Sequence, residues 1–336
     1  MKAWQLIEKG RFRPDRLDLR EVDRPVPDDD ELLIKVHACG ICHTDLHVIE
    51  ADIDSRPLPL TLGHQVVGEV ARANGDSSQF EVGDRVGVPW LHQTCGTCPD
   101  CRNDRENLCR NAVFTGCDTH GGFAEFMTVP APFAHPVPDG LDPVQAAPLL
   151  CGGVVGYRAL RLSNATSGDR LGLYGFGSSA SIVIQAAIHK GCECYVFTRS
   201  EDHMELAESL GAVWTGRAQE DPGAQMNSSI LFAPAGSLVP PALDQLRQGG
   251  TLAIAGIYLS PIPELDYEQH LYRERTVKSV TASTRQDVRD FLDLAEQIPV
   301  ETATETVPFD RLPDGLQRMN RSKHNASPVL QVSESA

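Results

Sequence analysis

The sequence lacks an excess of basic residues. Its 30 Lys and Arg face 46 Asp and Glu, giving a formal net charge of −16 at pH 7 over 336 residues. Nucleic acids and anionic membranes attract cationic surfaces, so this charge argues against both as partners. A composition of 41% hydrophobic and 23% charged residues is that of an ordinary folded protein. We therefore expect a globular protein that binds neither nucleic acid nor membrane.

Export and membrane signals are also missing. The stretch 1–12 carries Lys and Glu and has no apolar core like that of a secretory signal. The long uncharged stretch 171–188 is interrupted by Gly172, Gly175 and Gly177, which favours strand, turn and helix over a membrane span. These absences predict a cytoplasmic protein.

The apolar pattern changes along the chain. The first ~150 residues are mostly predicted as short strands, clearest at 32–36, 65–70, 85–88 and 123–129, and a helical pattern covers 143–160. The strands predicted after it are 171–174, 194–198, 230–233, 251–257 and 277–281, and the helices are 178–189, 202–210 and 238–247. Strand and helix in alternation predict a doubly wound parallel sheet. The fold class is therefore α/β, with a β-rich first domain.

Ten cysteines, in a compartment expected to be reducing, indicate metal binding rather than disulfides. Cys95, Cys98, Cys101 and Cys109 have the spacing C-x2-C-x2-C-x7-C. Four thiolates can close a tetrahedral shell around zinc and leave no open position, as in structural sites. An iron–sulfur cluster is the alternative, because the first three spacings also suit one. The motifs that surround the loop, given below, favour zinc.

Three further potential ligands stand apart from this cluster. They are Cys42 in CGICHTDLH, His64 in LGHQ and Cys151 in LLCGG. Two thiolates and one imidazole would leave the fourth position of a zinc ion open, which is the form used in catalysis. Each residue alone is uninformative, and only the surrounding motifs identify it as a ligand.

A glycine-rich turn predicts a dinucleotide site. Gly175, Gly177 and Ala180 form G-x-G-x-x-G/A between an apolar strand and a helix. The motif alone is weak, but in a βαβ unit the glycines allow the turn and the approach of a pyrophosphate to the helix N-terminus.

The end of the next predicted strand bears on the choice of cofactor. An NAD-selective fold normally has an acid there, whereas this chain has Thr198, Arg199 and Ser200. A guanidinium and two hydroxyls could bind a 2′-phosphate, so NADP(H) is favoured over NAD(H). Glu201 lies nearby and weakens this argument.

The order of the motifs resembles that of zinc-dependent medium-chain alcohol dehydrogenases. CGICHTDLH, GH, the four-cysteine loop, GGFAEF, CGG and GFG follow one another along almost the whole chain. PWLHQTCGTC, ENLCRNAVFTGC and APLLCGGVVGYRAL are most similar to the bacterial cinnamyl-alcohol-dehydrogenase-like branch. The resemblance implies a GroES-like catalytic domain, residues 1–152 and 287–336, around a Rossmann dinucleotide-binding domain, residues 153–286.

The resemblance also implies an activity and a set of roles. The expected enzyme carries two zinc ions per chain and transfers hydride between NAD(P)(H) and a primary alcohol or aldehyde, as a homodimer or homotetramer. Cys42, His64 and Cys151 match the catalytic zinc ligands, and the four-cysteine loop matches the structural site. The other matched residues are Asp45, which orients the ligand histidine, Thr44 and His47, which pass a proton to solvent, and Trp90, which lines the substrate pocket.

One residue departs from the family pattern. Gln65 stands directly after His64, where the family usually has Glu. The amide removes one negative charge beside the zinc, which could raise Lewis acidity and slow ligand exchange, or could simply fill the same space. Two alternatives stay open: a zinc- and nucleotide-binding member with impaired turnover, and a zinc-free quinone reductase of the same superfamily.

Overall fold

The computed structural model describes residues 1–74, 79–298, 300–321 and 326–333. In this part of the chain the strands are β1 Lys2–Leu6, β2 Leu17–Glu21, β3 Glu31–Gly40, β4 Val66–Ala73, β5 Arg85–Val88, β6 Leu91–Gln93, β7 Val113–Phe114, β8 Phe126–Pro130, β9 His135–Pro136, β10 Arg170–Tyr174, β11 Glu193–Phe197, β12 Trp214–Gly216, β13 Met226–Leu231, β14 Leu246–Ile254, β15 Thr276–Ser279, β16 Thr304–Pro308 and β17 Ser327–Gln331. The α-helices are α1 His43–Glu50, α2 Pro99–Arg102, α3 Pro143–Ala146, α4 Gly152–Leu162, α5 Ser178–His189, α6 Glu201–Ser209, α7 Val239–Asp244, α8 Tyr267–His270, α9 Arg285–Gln297 and α10 Leu312–Asn320. None of the helices in these residues is both long and apolar enough to cross a bilayer.

The first compact unit comprises Met1–Cys151, Ala282–Gln297 and Glu301–Ala336. Its largest sheet has the strand order β16-β17-β3-β4-β5-β9, and β8 also pairs with β3. Strand β3, ELLIKVHACG, is buried except at Glu31 and Lys35. It is buried because it has paired neighbours at both edges and apolar side chains on both faces, so it forms the centre of this unit's core.

A late segment of the chain completes this sheet. In β17, Val329 pairs with Gly40 and Leu330 with Cys39 in antiparallel register. Immediately beyond the register, the backbone N–H of Ile41 donates to the carbonyl of Pro328 at 2.9 Å. The end of β3 is therefore held by residues far away in sequence.

The second unit, Gly152–Thr281 with Ile298–Val300, contains a six-stranded sheet of order β12-β11-β10-β13-β14-β15. All five strand pairs are parallel, which confirms the predicted doubly wound sheet. The strand order reverses between β10 and β13. In open sheets of this kind ligands bind beyond the carboxyl ends of the strands at that reversal.

Some predicted boundaries differ from the structure in this unit. The helix predicted at 238–247 ends at Asp244, because Leu246 already pairs with Met226 as the first residue of β14. Strand β12 was not predicted, since its three residues are too short to show an alternating pattern.

Candidate functional site

A cysteine that lies two residues after the end of β3 caps the start of helix α1. Cys42 is the N-cap residue, and its Sγ accepts a hydrogen bond from the backbone N–H of Thr44 at 3.3 Å. In return, Asp45 Oδ2 accepts from the backbone N–H of Cys42 at 2.9 Å. These reciprocal bonds form a capping box in which a thiol takes the place of the usual hydroxyl. The start of the helix therefore fixes the direction of the Cys42 side chain.

The three ligands predicted for the open site converge. The sulfurs of Cys42 and Cys151 and the imidazole of His64 lie within 4.8 Å of one another, and Cys42 Sγ is 3.2 Å from His64 Nε2. Sulfur and nitrogen ligands on one tetrahedral zinc ion would lie about 3.5 Å apart. A hydrogen bond from the Cys151 thiol holds the pKa of Cys42 well below its usual value. The donor set fits a zinc ion and would supply three of its four ligands.

A buried carboxylate lies behind the histidine of this set. Asp45 is 1% exposed, and its Oδ1 accepts a bond from the backbone N–H of Gly63 at 3.3 Å. The same oxygen is 3.3 Å from His64 Nδ1, an ion-pair distance without the alignment of a hydrogen bond. Burial alone would lower the pKa of His64, but the charges of Cys42 and Asp45 raise it to about 10. The two negative groups therefore stabilise a positive charge on the His64 ring between them.

Thr44 and His47, the predicted relay pair, are separated by one turn of α1 and so lie on the same face of the helix. Thr44 is buried and His47 is partly exposed. The Nδ1 atom of His47 lies 2.9 Å from Asp52 Oδ2. Sequence reasoning missed Asp52, because a carboxylate five residues after a histidine is too common a spacing to carry a signal.

An aromatic pair lies beside the ligand histidine. The Trp90 ring meets the His64 ring edge-on, with centroids 4.9 Å apart and an interplanar angle of 79°. Trp90 also stacks on Phe114, with ring centroids 5.1 Å apart and an interplanar angle of 18°. Phe114 was not predicted; it comes next to Trp90 through the β6–β7 pairing, in which Leu91 is opposite Phe114. Together the two rings form an apolar wall next to the metal ligands.

Gln65 is buried next to a glycine of β3. It is 4% exposed, and its backbone carbonyl accepts a hydrogen bond from the Gly40 N–H at 3.0 Å. A Cβ atom added to Gly40 would lie 2.3 Å from Gln65 Oε1, closer than any ordinary contact. Gly40 therefore provides the space that the Gln65 side chain occupies.

The four-cysteine loop also brings its sulfurs together. The ligand atoms of Cys95, Cys98, Cys101 and Cys109 lie within 4.8 Å of one another. Cys95 Sγ is 3.9 Å from Cys101 Sγ and 3.5 Å from Cys109 Sγ, against about 3.8 Å for two thiolates on one tetrahedral zinc. Backbone N–H groups, first that of Thr97, lower the pKa of Cys95 to about 6. The set fits a closed zinc site.

A carboxylate inside this loop ties it to helix α9 of the same unit. Glu106 is 4% exposed, and its Oε1 accepts from the backbone N–H of Arg285 at 2.9 Å and from Arg285 Nε at 3.3 Å. Arg285 is the first residue of α9 and lies 179 positions away, so no local pattern could have predicted this pair.

The glycine-rich turn lies at the strand-order reversal of the second unit. Gly175 has φ +86°, and a Cβ there would come 2.8 Å from Ala233, in the loop after β13. Gly177 is the N-cap of α5 without a side-chain cap, and a Cβ there would meet nothing within 4 Å. Ala180 is buried in the first turn of α5. The helix start thus has no side-chain cap and has open space at Gly177, as phosphate binding requires.

The residues after β11 are arranged around the start of helix α6. Thr198 is buried and donates its backbone N–H to the carbonyl of Gly216, while Ser200 caps α6 through a bond from the His203 N–H. Arg199 between them is exposed. An exposed guanidinium next to a helix N-terminus is a suitable place for an anion.

Known proteins are similar to this chain in sequence and in fold. The chain matches the family model described as alcohol dehydrogenase GroES-like domain over residues 28–139, and that described as zinc-binding dehydrogenase over residues 180–297. It is 44% identical to "Probable alcohol dehydrogenase AdhA" of Mycobacterium tuberculosis, over 99% of this chain and 97% of the relative. These matches confirm the predicted GroES-like first unit and the α/β second unit.

Two solved structures are similar over their full length. A cinnamyl alcohol dehydrogenase of Sorghum bicolor superposes with a TM-score of 0.89 at 27% identity, covering 100% of this chain and 98% of that one. A protein of Sinorhizobium meliloti, described as a zinc-binding dehydrogenase bound to NADP, gives a TM-score of 0.89 at 28% identity, with 98% of both chains covered.

Proposed function

The chain belongs to the zinc-binding alcohol dehydrogenase family, and we propose that it is a two-zinc enzyme that moves hydride between a nicotinamide dinucleotide and a primary alcohol or aldehyde. The observation that carries the proposal is the convergence of Cys42, His64 and Cys151. These three ligands would leave the fourth position of a zinc ion open for substrate. Closed sites such as the four-cysteine loop stabilise a fold, whereas open ones bind a reacting group.

The residues around the open site have separate tasks. When bound, zinc and the nicotinamide supply a Lewis acid for the substrate oxygen and a hydride acceptor or donor. Cys42, His64 and Cys151 would hold the metal, and Asp45 keeps the His64 ring oriented through its contact with Nδ1. Trp90 excludes water from one side, which a hydride transfer needs.

A proton must still leave this dry pocket during alcohol oxidation. Thr44 is buried two residues after the ligand Cys42, and its hydroxyl can accept a hydrogen bond from the alcohol while donating its own proton onward. His47, one turn along the helix and partly exposed, can take that proton and release it to solvent. Aldehyde reduction uses the same path in reverse.

NADP(H) is the cofactor that the second unit favours in this proposal. The uncapped start of α5 would receive the pyrophosphate, and Arg199 would bind the 2′-phosphate. No acid stands at 198–200 to repel that phosphate, although Glu201 follows at the start of α6. The NADP bound to the Sinorhizobium meliloti relative is consistent with this choice.

Gln65 and Trp90 bear on the substrate. An uncharged amide behind His64 leaves the site one negative charge short of the usual family arrangement, which favours binding an aldehyde over rapid release of an alcohol. The stacked wall of Trp90 and Phe114 suits a flat or slender substrate. We further propose that the enzyme is a cytoplasmic homodimer or homotetramer.

Metal analysis and kinetics on matched variants test the proposal. Purified protein should contain about two zinc ions per chain, set by the two ligand groups, and should oxidise NADPH with a range of aldehydes. Cys151→Ser should lose turnover and one zinc while the unfolding temperature changes little, and Cys98→Ser should lose the other zinc and unfold earlier. Cys192→Ser, at a buried thiol outside both sets, is the control.

Two results would contradict the proposal in different ways. Iron in place of zinc would refute the metal assignment. Two zinc ions without turnover, on any aldehyde or alcohol and with either cofactor, would instead favour a binding protein with impaired catalysis.

A further inference from the structure

We propose that Asp118 is a positioning residue that sets the width of the substrate pocket, because its carboxylate holds Phe114 against Trp90. The idea rests on the proposed function, in which Trp90 lines the pocket beside the ligand His64. The observation behind it is a 2.9 Å hydrogen bond from the backbone N–H of Phe114 to Asp118 Oδ2. Neither the sequence motifs nor the family assigns Asp118 a role.

The turn after Phe114 engages both polar groups of the Phe114 backbone. The carbonyl of Phe114 accepts hydrogen bonds from the N–H groups of Cys117, Asp118 and Thr119, at 3.2, 2.9 and 3.4 Å. The Phe114 N–H donates in turn to the Asp118 side chain. Asp118 therefore closes the turn twice, once through its backbone and once through its carboxylate.

The other bonds of this turn hold its middle rather than Phe114. Cys117 is 1% exposed, its Sγ donates to the carbonyl of Asp54 at 3.3 Å, and its own carbonyl accepts from the Arg56 N–H at 3.0 Å. Strand β7 is only two residues long and so offers few ladder bonds. Without the Asp118 carboxylate the Phe114 N–H would bond to water, and the backbone that carries the ring would be held less firmly.

The position of the Phe114 ring matters because of the two rings next to it. Phe114 stacks on Trp90 at 5.1 Å and 18° between centroids and planes, and Trp90 meets the His64 ring edge-on at 4.9 Å. Phe114 and Trp90 are only partly buried, so each leaves surface that a substrate can contact. Two nearly parallel rings form a flat wall. A flat aromatic aldehyde can pack on such a wall, whereas an aldehyde branched next to its carbonyl carbon needs more width.

Asp118→Ala tests the proposal, with Asp118→Asn as the matched variant. Both remove the same negative charge, but asparagine keeps an oxygen that can accept the Phe114 N–H. We take the ratio of kcat/KM for benzaldehyde to kcat/KM for 2,2-dimethylpropanal as the measure of pocket width. Asp118→Ala should lower this ratio about fivefold, the factor that corresponds to the net contribution of one hydrogen bond. Asp118→Asn should stay within about twofold of the wild type, and both variants should hold as much zinc as the wild type does.

Phe114→Leu shows whether Asp118 acts through the ring. This variant should lower the same ratio by itself. Adding Asp118→Ala to Phe114→Leu should then change the ratio by less than about twofold, because the two changes affect one contact.

Fluorine NMR of protein labelled with 5-fluorotryptophan gives a readout that does not depend on turnover. The chain has three tryptophans, and Trp90→Phe identifies the signal of Trp90. That signal should move in Asp118→Ala, because the stacked Phe114 ring moves, and should stay in place in Asp118→Asn. The signals of Trp4 and Trp214 should not change in either variant.

An equal ratio and an equal Trp90 signal in the Ala and Asn variants would overturn the role of Asp118. The Phe114→Leu variant separates this failure from that of the pocket itself. If it leaves the ratio unchanged, the wall does not contact substrate; if it lowers the ratio while Asp118→Ala does not, only the role of Asp118 is wrong. Absence of turnover with every aldehyde would refute the proposed function, and the fluorine signal would still decide whether Asp118 holds the ring pair.

Discussion

Replacing Gly40 with alanine should destabilise the protein through one neighbour, Gln65. The added Cβ would lie 2.3 Å from Oε1 and 2.7 Å from Cδ of Gln65, whereas ordinary contacts begin near 3.4 Å. The amide would have to move by about 1 Å in a buried site, and overpacking of this kind costs about 1–3 kcal/mol. Alanine also restricts the unfolded chain, which returns about 0.4–1 kcal/mol where the backbone permits it. We expect a net loss of about 1–2 kcal/mol.

A double-mutant cycle isolates that contact. In a Gln65→Ala background the contacts with Oε1 and Cδ are removed and only the Cβ contact at 3.0 Å remains. Gly40→Ala should therefore cost far less there, giving a coupling energy of about 1–2 kcal/mol. Urea unfolding of zinc-saturated protein measures the four stabilities. The matched control is Gly140→Ala, since a Cβ at Gly140 meets nothing within 4 Å.

Zinc retention supplies a second measurement on the same variants. Moving the Gln65 side chain shifts the residue that follows the ligand His64, so Gly40→Ala should release the catalytic zinc to a chelator faster than Gly140→Ala does. A stability of Gly40→Ala within about 0.5 kcal/mol of the wild type, or an equal loss in both backgrounds, would refute the reasoning.

Three further changes have defined outcomes. Arg199→Ala should raise KM for NADPH about tenfold and leave KM for NADH nearly unchanged, because one charge-assisted bond to the 2′-phosphate is lost. An equal rise in KM for both cofactors would mean that Arg199 has a structural role and does not select the cofactor. Glu106→Ala should lower the free energy of unfolding by about 1–3 kcal/mol, since two N–H donors of the partly exposed Arg285 lose their acceptor. Glu106→Gln keeps an acceptor and should lose less than half of that, so identical losses in urea would contradict the role of the bonds. Burial lowers the pKa of His135 to about 3 in the folded state, against about 6.5 when unfolded. The unfolded chain then binds the extra proton, so stability falls as pH drops below about 6.5, and His135→Phe should flatten that slope by about 1.2 kcal/mol per pH unit between pH 5 and 6.

Local sequence signals predicted the residues of the candidate site better than the contacts that hold those residues in place. The cysteine spacings and the glycine turn are contained in short motifs, because a metal or a phosphate needs particular residue types at fixed distances along the chain. In the structure the ligand atoms of each set lie within 4.8 Å of one another. The roles assigned to Thr44, His47, Arg199 and Trp90 stay predictions.

What could not be predicted depends on contacts between distant parts of the chain. The bond between Glu106 and Arg285 and the stack of Phe114 on Trp90 arise only after the loops have been placed. The fit of Gln65 against Gly40 likewise needs β3 and β4 to be in register. Asp52 is local, but its turn depends on a left-handed Ala51, a conformation for which alanine carries no sequence signal.

Strand β17 is synthesised long after β3, the strand with which it pairs, so this part of the sheet can form only late in synthesis. The three ligands of the open site are made early in translation, but the N–H of Ile41, directly before Cys42, is bonded to Pro328. Domains generally fold as units as the chain emerges, and here the first unit stays incomplete until its last strand is available. A chain still on the ribosome could already carry every metal-binding side chain of that site. It would nevertheless lack the strand that holds the backbone next to the first ligand in place, so we expect tight zinc binding at this site only after β17 has been made.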